Sequence, residues 1–226
     1  MKFINIYLSP LNVFEEIKRH PVSLAPLAAV AILTAGMSVL YFMKVDPDWF
    51  IDYTLTSSGK QMSESEMEQA RKVLPSAGVM GYITSVVAPI VTVIVALAYA
   101  LYLFVVSKVL GGAVSFAQTL SLTAWSAMPQ ALGVIVSIVA IAMMPAQTSL
   151  DSMMLTHIDP LLVELPPAHP WGALARNFDL LTIWSIILVA IGWRAWGKSS
   201  WLQALVVSSI PAAIVYGGMA ILAVMR

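Results

Sequence analysis

The chain opens with a short mixed segment and then falls into long apolar runs separated by two polar stretches. In the opening segment, SPLNVFEEIKRH, Ser9 can cap a helix that has Pro10 in its first position. Leu11, Phe14 and Ile17 then lie on one side and the charges on the other. This spacing predicts a short amphipathic helix lying in a membrane interface. A bilayer core of about 30 Å needs about 20 apolar residues at 1.5 Å each. Charge-free windows of that length run from Pro21 to Met43, Val73 to Ser107, Val109 to Leu150 and Ser199 to Met225. A further run, Leu180 to Trp193, is too short alone. It must borrow residues from about Ala173 onward, and so carries Arg176 and Asp179 near its end, with Asp179 about two turns into the helix.

The expected fold class is therefore all-α, a polytopic membrane protein with five transmembrane helices. Residues 1–21 form a tail with the interfacial helix, and residues 22–226 form one membrane domain with outer loops at about 44–78 and 145–172. The first apolar run is too long for a removable signal peptide, and Lys44 follows it without a small-residue cleavage site, so it reads as a permanent anchor. In the first outer loop Ser63 and Glu66 have the spacing of a capping box ahead of a short helix that ends before Pro75.

Composition agrees, at 59% hydrophobic and 11% charged residues, far below the charged fraction of a soluble domain. Net charge is zero, so no basic excess points to nucleic acid; the expected partners are the lipid bilayer, a membrane protein or a second copy of the chain. The absence of cysteine excludes disulfides and thiolate chemistry. With an odd number of spans, Lys2, Lys18, Arg19, Lys108, Arg194 and Lys198 fall on one face, in a short tail and two tight turns. The basic residues of the other face are spread over long loops. Density places the first set, and the N-terminus, in the cytoplasm and the C-terminus outside; a location in the inner (plasma) membrane is expected.

Two stretches resemble one another. SFAQTL, from Ser115, and SWLQAL, from Ser200, each follow a tight turn and each precede a proline, Pro129 and Pro211 respectively. This suggests a parallel internal repeat, with chance as the alternative. A helix from Phe116 to Met144 would be longer than a bilayer requires, so a kink at Pro129 is expected. Proline would free the Trp125 carbonyl, with Ser121, Ser126 or Gln130 available to satisfy polar groups around the break. Gln130 then either joins two helices or lines a solute site. Trp184, mid-span, either packs in the bundle or closes a cavity.

Asp179 is the most informative ionisable group, because an intramembrane carboxylate is a functional candidate unless it is paired, here with Arg176 three residues earlier. Asp151, His157, Asp159, Glu164 and His169 bear donors of the type divalent ions use, but His157 and Asp159 are two apart and prolines interrupt the stretch, so no metal site is expected. No cofactor is expected either. Neither HExxH, GxSxG nor a phosphate loop occurs, and the sequence reads as non-enzymatic. Small residues four apart, Thr34 and Ser38, Ala96 and Ala100, Gly133 and Ser137, favour close helix approach.

Taken in order, LSPLNVFEEIKRHP, AVSFAQTLSLTAWSAMPQ and NFDLLTIWSIILVAIGW resemble the Ypt-interacting protein (Yip) family in its bacterial branch. The resemblance implies five transmembrane helices with a cytoplasmic N-terminus. Eukaryotic members act in the early secretory pathway and bind Rab-type GTPases and each other. This chain lacks their long cytosolic region, so GTPase binding is not expected of it. The function favoured is membrane organisation or protein association; the alternative is a small permease or channel with Asp179, Gln130 and Trp184 along its path and the Pro129 and Pro211 breaks shaping it.

Overall fold

The computed structural model describes residues 2–57 and 63–225. Its elements are helices, with no strand among the described residues. Four helical stretches are long and apolar enough to cross a membrane: α3 (Leu24–Lys44), α6 (Ala77–Val109), α7 with α8 (Phe116–Ser126 and Met128–Met143), and α12 (Trp201–Val224). A shorter apolar helix, α11, covers Leu181–Gly197. No more than 39% of the most apolar window of any of the four is buried, so most of their apolar surface faces outward, as lipid requires and water forbids.

The chain divides into two compact units. One comprises Met1–Ile32, Pro89–Leu132 and Leu180–Gly218. In it α1 (Lys2–Leu8) packs on α2 (Pro10–Arg19), α2 packs on α7 and α11, and α7 packs on α11. Pro10 starts α2 as the local sequence predicts, but Ser9, at the N-cap position, makes no capping hydrogen bond through its side chain. Its buried face is Val13, Phe14 and Ile17, whereas Leu11 is exposed. Gly192 makes the packing of α11 possible. A Cβ there would lie 2.3 Å from Leu122 Cδ1 and 3.2 Å from Phe14 Cγ, so only hydrogen fits between the buried side chains of α7 and α2.

The other unit comprises Leu33–Ala88, Gly133–Asp179 and Met219–Arg226. Its core is Met37, Tyr41, Val45, Ile141 and Met144, with Phe42, Phe50 and Leu150 packed around them. The Tyr41 hydroxyl donates to the Thr148 carbonyl at 3.1 Å, and Lys44 Nζ to the Ala142 carbonyl at 2.6 Å. Lys44 thus caps the last turn of α8, where carbonyls lack helical partners and a cation is favoured. Two helices follow α3 here, α4 (Pro47–Ser57) and α5 (Glu64–Val73), tied by an Arg71–Asp52 ion pair. The Ser63–Glu66 capping box is present: Ser63 Oγ accepts from the Glu66 N–H, and the Glu66 carboxylate accepts from the Ser63 N–H at 2.7 Å.

The two similar stretches, SFAQTL and SWLQAL, both stand at helix starts. Ser115 and Gln118 form a second capping box at the start of α7, and Ser200 Oγ accepts from the Gln203 N–H at 3.2 Å at the start of α12. A serine followed three residues later by glutamine is a device for starting a helix after a turn. The turn ahead of α7 needs its glycines, since Gly111 has φ +74° and a Cβ on Gly112 would meet Ser107 Oγ at 2.4 Å.

The structure revises the expectation of one kinked helix. α7 ends at Ser126 and α8 begins at Met128, with Pro129 in the first turn of α8 and not in a helix interior. There proline costs nothing, because the N–H it lacks has no helical acceptor in a first turn. The Trp125 carbonyl accepts from the Ala127 N–H. Ser121 and Ser126, expected to serve this break, make no hydrogen bond through their buried hydroxyls.

Candidate functional site

The polar residues singled out in the sequence fall into two groups, one in each unit. In the first, Trp125 is buried on α7; its indole N–H donates to the Val22 carbonyl at 2.8 Å and its ring packs on Phe3 with centroids 5.0 Å apart. Gln130 Nε2 donates to Thr182 Oγ1 at 3.3 Å, joining α8 to α11. Trp184 meets the Tyr7 ring edge-on at 5.6 Å. The Tyr7 hydroxyl donates to the Met128 carbonyl at 2.7 Å, and burial pushes its pKa above the ordinary value, so it remains a donor well into alkaline pH.

Three partners unseen in the sequence complete a clamp on the first twenty residues. The Trp196 indole N–H donates to the Phe14 carbonyl at 3.0 Å, Gln118 Nε2 to the Lys18 carbonyl at 2.7 Å, and Lys18 Nζ to the Trp196 carbonyl at 3.2 Å. Side chains from α7 and α11 thus hold backbone groups of α2 and of the link to α3. The amphipathic helix is bolted to the bundle.

Pro211, inside α12, leaves the Val207 carbonyl without the N–H that a helix would supply four residues on. The Tyr102 hydroxyl donates to that carbonyl at 2.9 Å, and Tyr99 donates to the neighbouring Ser208 carbonyl at 2.6 Å. Both tyrosines are on α6. The break is satisfied by a neighbouring helix, as membrane helices demand.

With these contacts in view, the chain can be compared with known proteins. Residues 4–222 match the Yip1 domain family. The chain is a Yip1-domain protein. It is 27% identical over 218 residues to the membrane protein YknW of Bacillus subtilis (strain 168), which covers 91% of this chain and 84% of that protein. No solved structure matches it.

The second group in this Yip1-domain protein lies in the stretch of chain that follows α8 and carries the short helix α9 (Ile158–Leu161). Asp179 is not two turns into a helix. α10 (Gly172–Asn177) ends first, Phe178 is extended, and Asp179 pairs through its backbone with His157 before α11 begins. The Ile158 N–H donates to the Phe178 carbonyl at 3.0 Å, which draws the chain out of the helical path. The buried Asp179 carboxylate lies 3.9 Å from His157 Nε2, and His157 Nδ1 is hydrogen-bonded to the Arg176 carbonyl. Arg176 reaches instead toward Asp151 at 3.5 Å, Asp159 at 3.8 Å and the Pro167 carbonyl at 3.0 Å. Gly172 leaves room for that guanidinium, since a Cβ there would come within 2.6 Å of it.

Asp151, Asp159, His157 and Asp179 thus share one polar knot with Arg176, and Asp159 also lines a half-open groove with Glu164, Ser152, Leu155 and Pro160. No group of three metal-ligating side chains occurs among the described residues. The knot ties the 145–180 segment to itself.

Proposed function

We propose that this Yip1-domain protein is a non-enzymatic, multi-pass inner-membrane protein with five spans, its N-terminus in the cytoplasm and its C-terminus outside. It acts by organising the membrane or by associating with another membrane protein. The observation that carries this reading is the use made of the polar side chains. Trp125, Gln130 and the two tyrosines beside Pro211 bond to the bundle itself, and Asp179 sits in a knot with His157. In a bilayer such bonds specify helix arrangement; they are the opposite of a hydrated, uncommitted lining for a solute.

Five spans require α11 to cross. Its 17 residues make a helix of about 25 Å, at the lower end of what spans a bilayer. Near its end Arg194 lies 4.7 Å over the ring of Trp201, an exposed tryptophan suited to an interface. Membership of the Yip1 family and a relative described as a membrane protein agree with a non-catalytic role.

The test is photo-crosslinking in native membranes, with a photoreactive residue at the exposed positions Leu155, Leu161, Leu162 and Leu110. Discrete adducts that depend on position are expected. Their absence at every position would overturn the association reading.

A further inference from the structure

The amphipathic pattern of the N-terminal segment suggests that Leu11, Phe14 and Ile17 face lipid, yet Phe14 and Ile17 are fully buried against α7 and α11. That face is spent on protein. A different one remains outward: Ile4 is 64% exposed, Leu8 75%, Leu11 51% and Phe3 42%. Ile4 and Leu8 are four apart on α1 and so lie on one face, and Leu11 follows in the first turn of α2. Apolar exposure resumes at Val22 and at Leu24, the latter 78% exposed, where the first spanning helix starts. Large aliphatic side chains clustered this way mark a contact surface.

We propose that Phe3, Ile4, Leu8 and Leu11 form a ridge that lies in the boundary between headgroups and acyl chains, so that the bilayer surface is its partner. The ridge belongs to the same compact unit as the exposed apolar start of α3. It carries four large side chains, against the twenty to thirty residues a side of a stable protein interface, so a second copy of the chain is a poor fit. Its charges are arranged to suit. Lys2 is paired with Glu16 at 2.8 Å and Lys18 is bonded to the Trp196 carbonyl, which leaves the apolar side chains as the contact. Asn12 and Glu16, also exposed and four apart, lie together on another side of α2.

The clamp gives this ridge its consequence. A free amphipathic helix binds and leaves a membrane, whereas this one is held through its backbone by Trp125, Trp196 and Gln118 and by Tyr7. It is a fixed wedge in one leaflet, displacing lipid on one side only. This rests on the membrane-organisation reading and supplies its contact surface.

The chain has no cysteine, so single-cysteine variants report one site each. Ile4→Cys, Leu8→Cys, Leu11→Cys, Asn12→Cys and Glu16→Cys, each spin-labelled, are reconstituted in vesicles of phosphatidylcholine and phosphatidylglycerol. Collision with oxygen is then compared with collision with a water-soluble nickel chelate. Labels at 4, 8 and 11 are expected to favour oxygen, and labels at 12 and 16 nickel. Nickel access at 4, 8 and 11 equal to that at 16 would overturn the ridge, and so would shielding from both reagents with dipolar broadening, the signature of a second copy. Losing the ridge leaves the crosslinking test of association standing, and losing the crosslinks leaves the ridge standing.

Discussion

Replacing Tyr102 by Phe removes one hydroxyl and little else, which makes the Pro211 break a place where a single bond can be weighed. The Val207 carbonyl has no helical donor because residue 211 is proline, and Tyr102 supplies one at 2.9 Å. Hydrogen bonds between membrane helices contribute about 0.6 kcal/mol on average and about 1.7 at most. This carbonyl has lost its helical partner, so Tyr102→Phe should cost about 1 kcal/mol, near fivefold in the unfolding equilibrium. In a Pro211→Ala background the backbone N–H restored at that position can bond the Val207 carbonyl, and the cost of Tyr102→Phe should fall to a few tenths of a kcal/mol. Tyr99 is the internal control. Its acceptor, Ser208, lies four residues before Ala212, which keeps its N–H in either background, so Tyr99→Phe should cost the same in both. The assay is reversible unfolding in mixed micelles, read as a double-mutant cycle. An equal cost for Tyr102→Phe in both backgrounds would refute the argument that Tyr102 replaces the missing N–H.

Two further outcomes follow from local geometry. Gly192→Ala puts a methyl 2.3 Å from Leu122 Cδ1; overpacking of about 1–3 kcal/mol should exceed the roughly 1 kcal/mol that alanine brings to a helix, giving a lower Tm in detergent, and a raised Tm would contradict the packing described. At the start of α5, hydrogen bonds from Ser63 hold the Glu66 carboxyl below the usual range. The order this cap confers is present above the ordinary glutamate pKa and lost as pH falls through the depressed one; amide exchange across α5 should therefore quicken in acid, and Glu66→Gln should flatten that dependence.

What the sequence revealed was local, and what it concealed was distant. Ser63 with Glu66, and Pro10 at the first position of α2, act within one turn, and so can be read from spacing. The clamp could not be read this way, because the indoles of Trp125 and Trp196 find carbonyls more than a hundred residues away, and a tryptophan looks the same whether it packs or bonds. Asp179 shows the same limit from the other side. Spacing favours Arg176 on the same helical face, but the helix stops at Asn177, and the loop brings His157 to the carboxylate while Asp151 and Asp159 draw Arg176 away. Burial likewise reversed the apolar face of α2, since a moment marks which side is apolar without saying what covers it.

The central claim is that the polar groups within this bundle hold it together and do not conduct. The measurement that meets it most directly is proton and ion flux through the purified protein in sealed liposomes, under an imposed pH gradient and voltage, beside an Asp179→Asn variant. Flux no greater than that of empty liposomes, from protein shown to be folded and inserted, is expected. Flux well above that level, abolished by the substitution, would contradict the account and make this a transport protein.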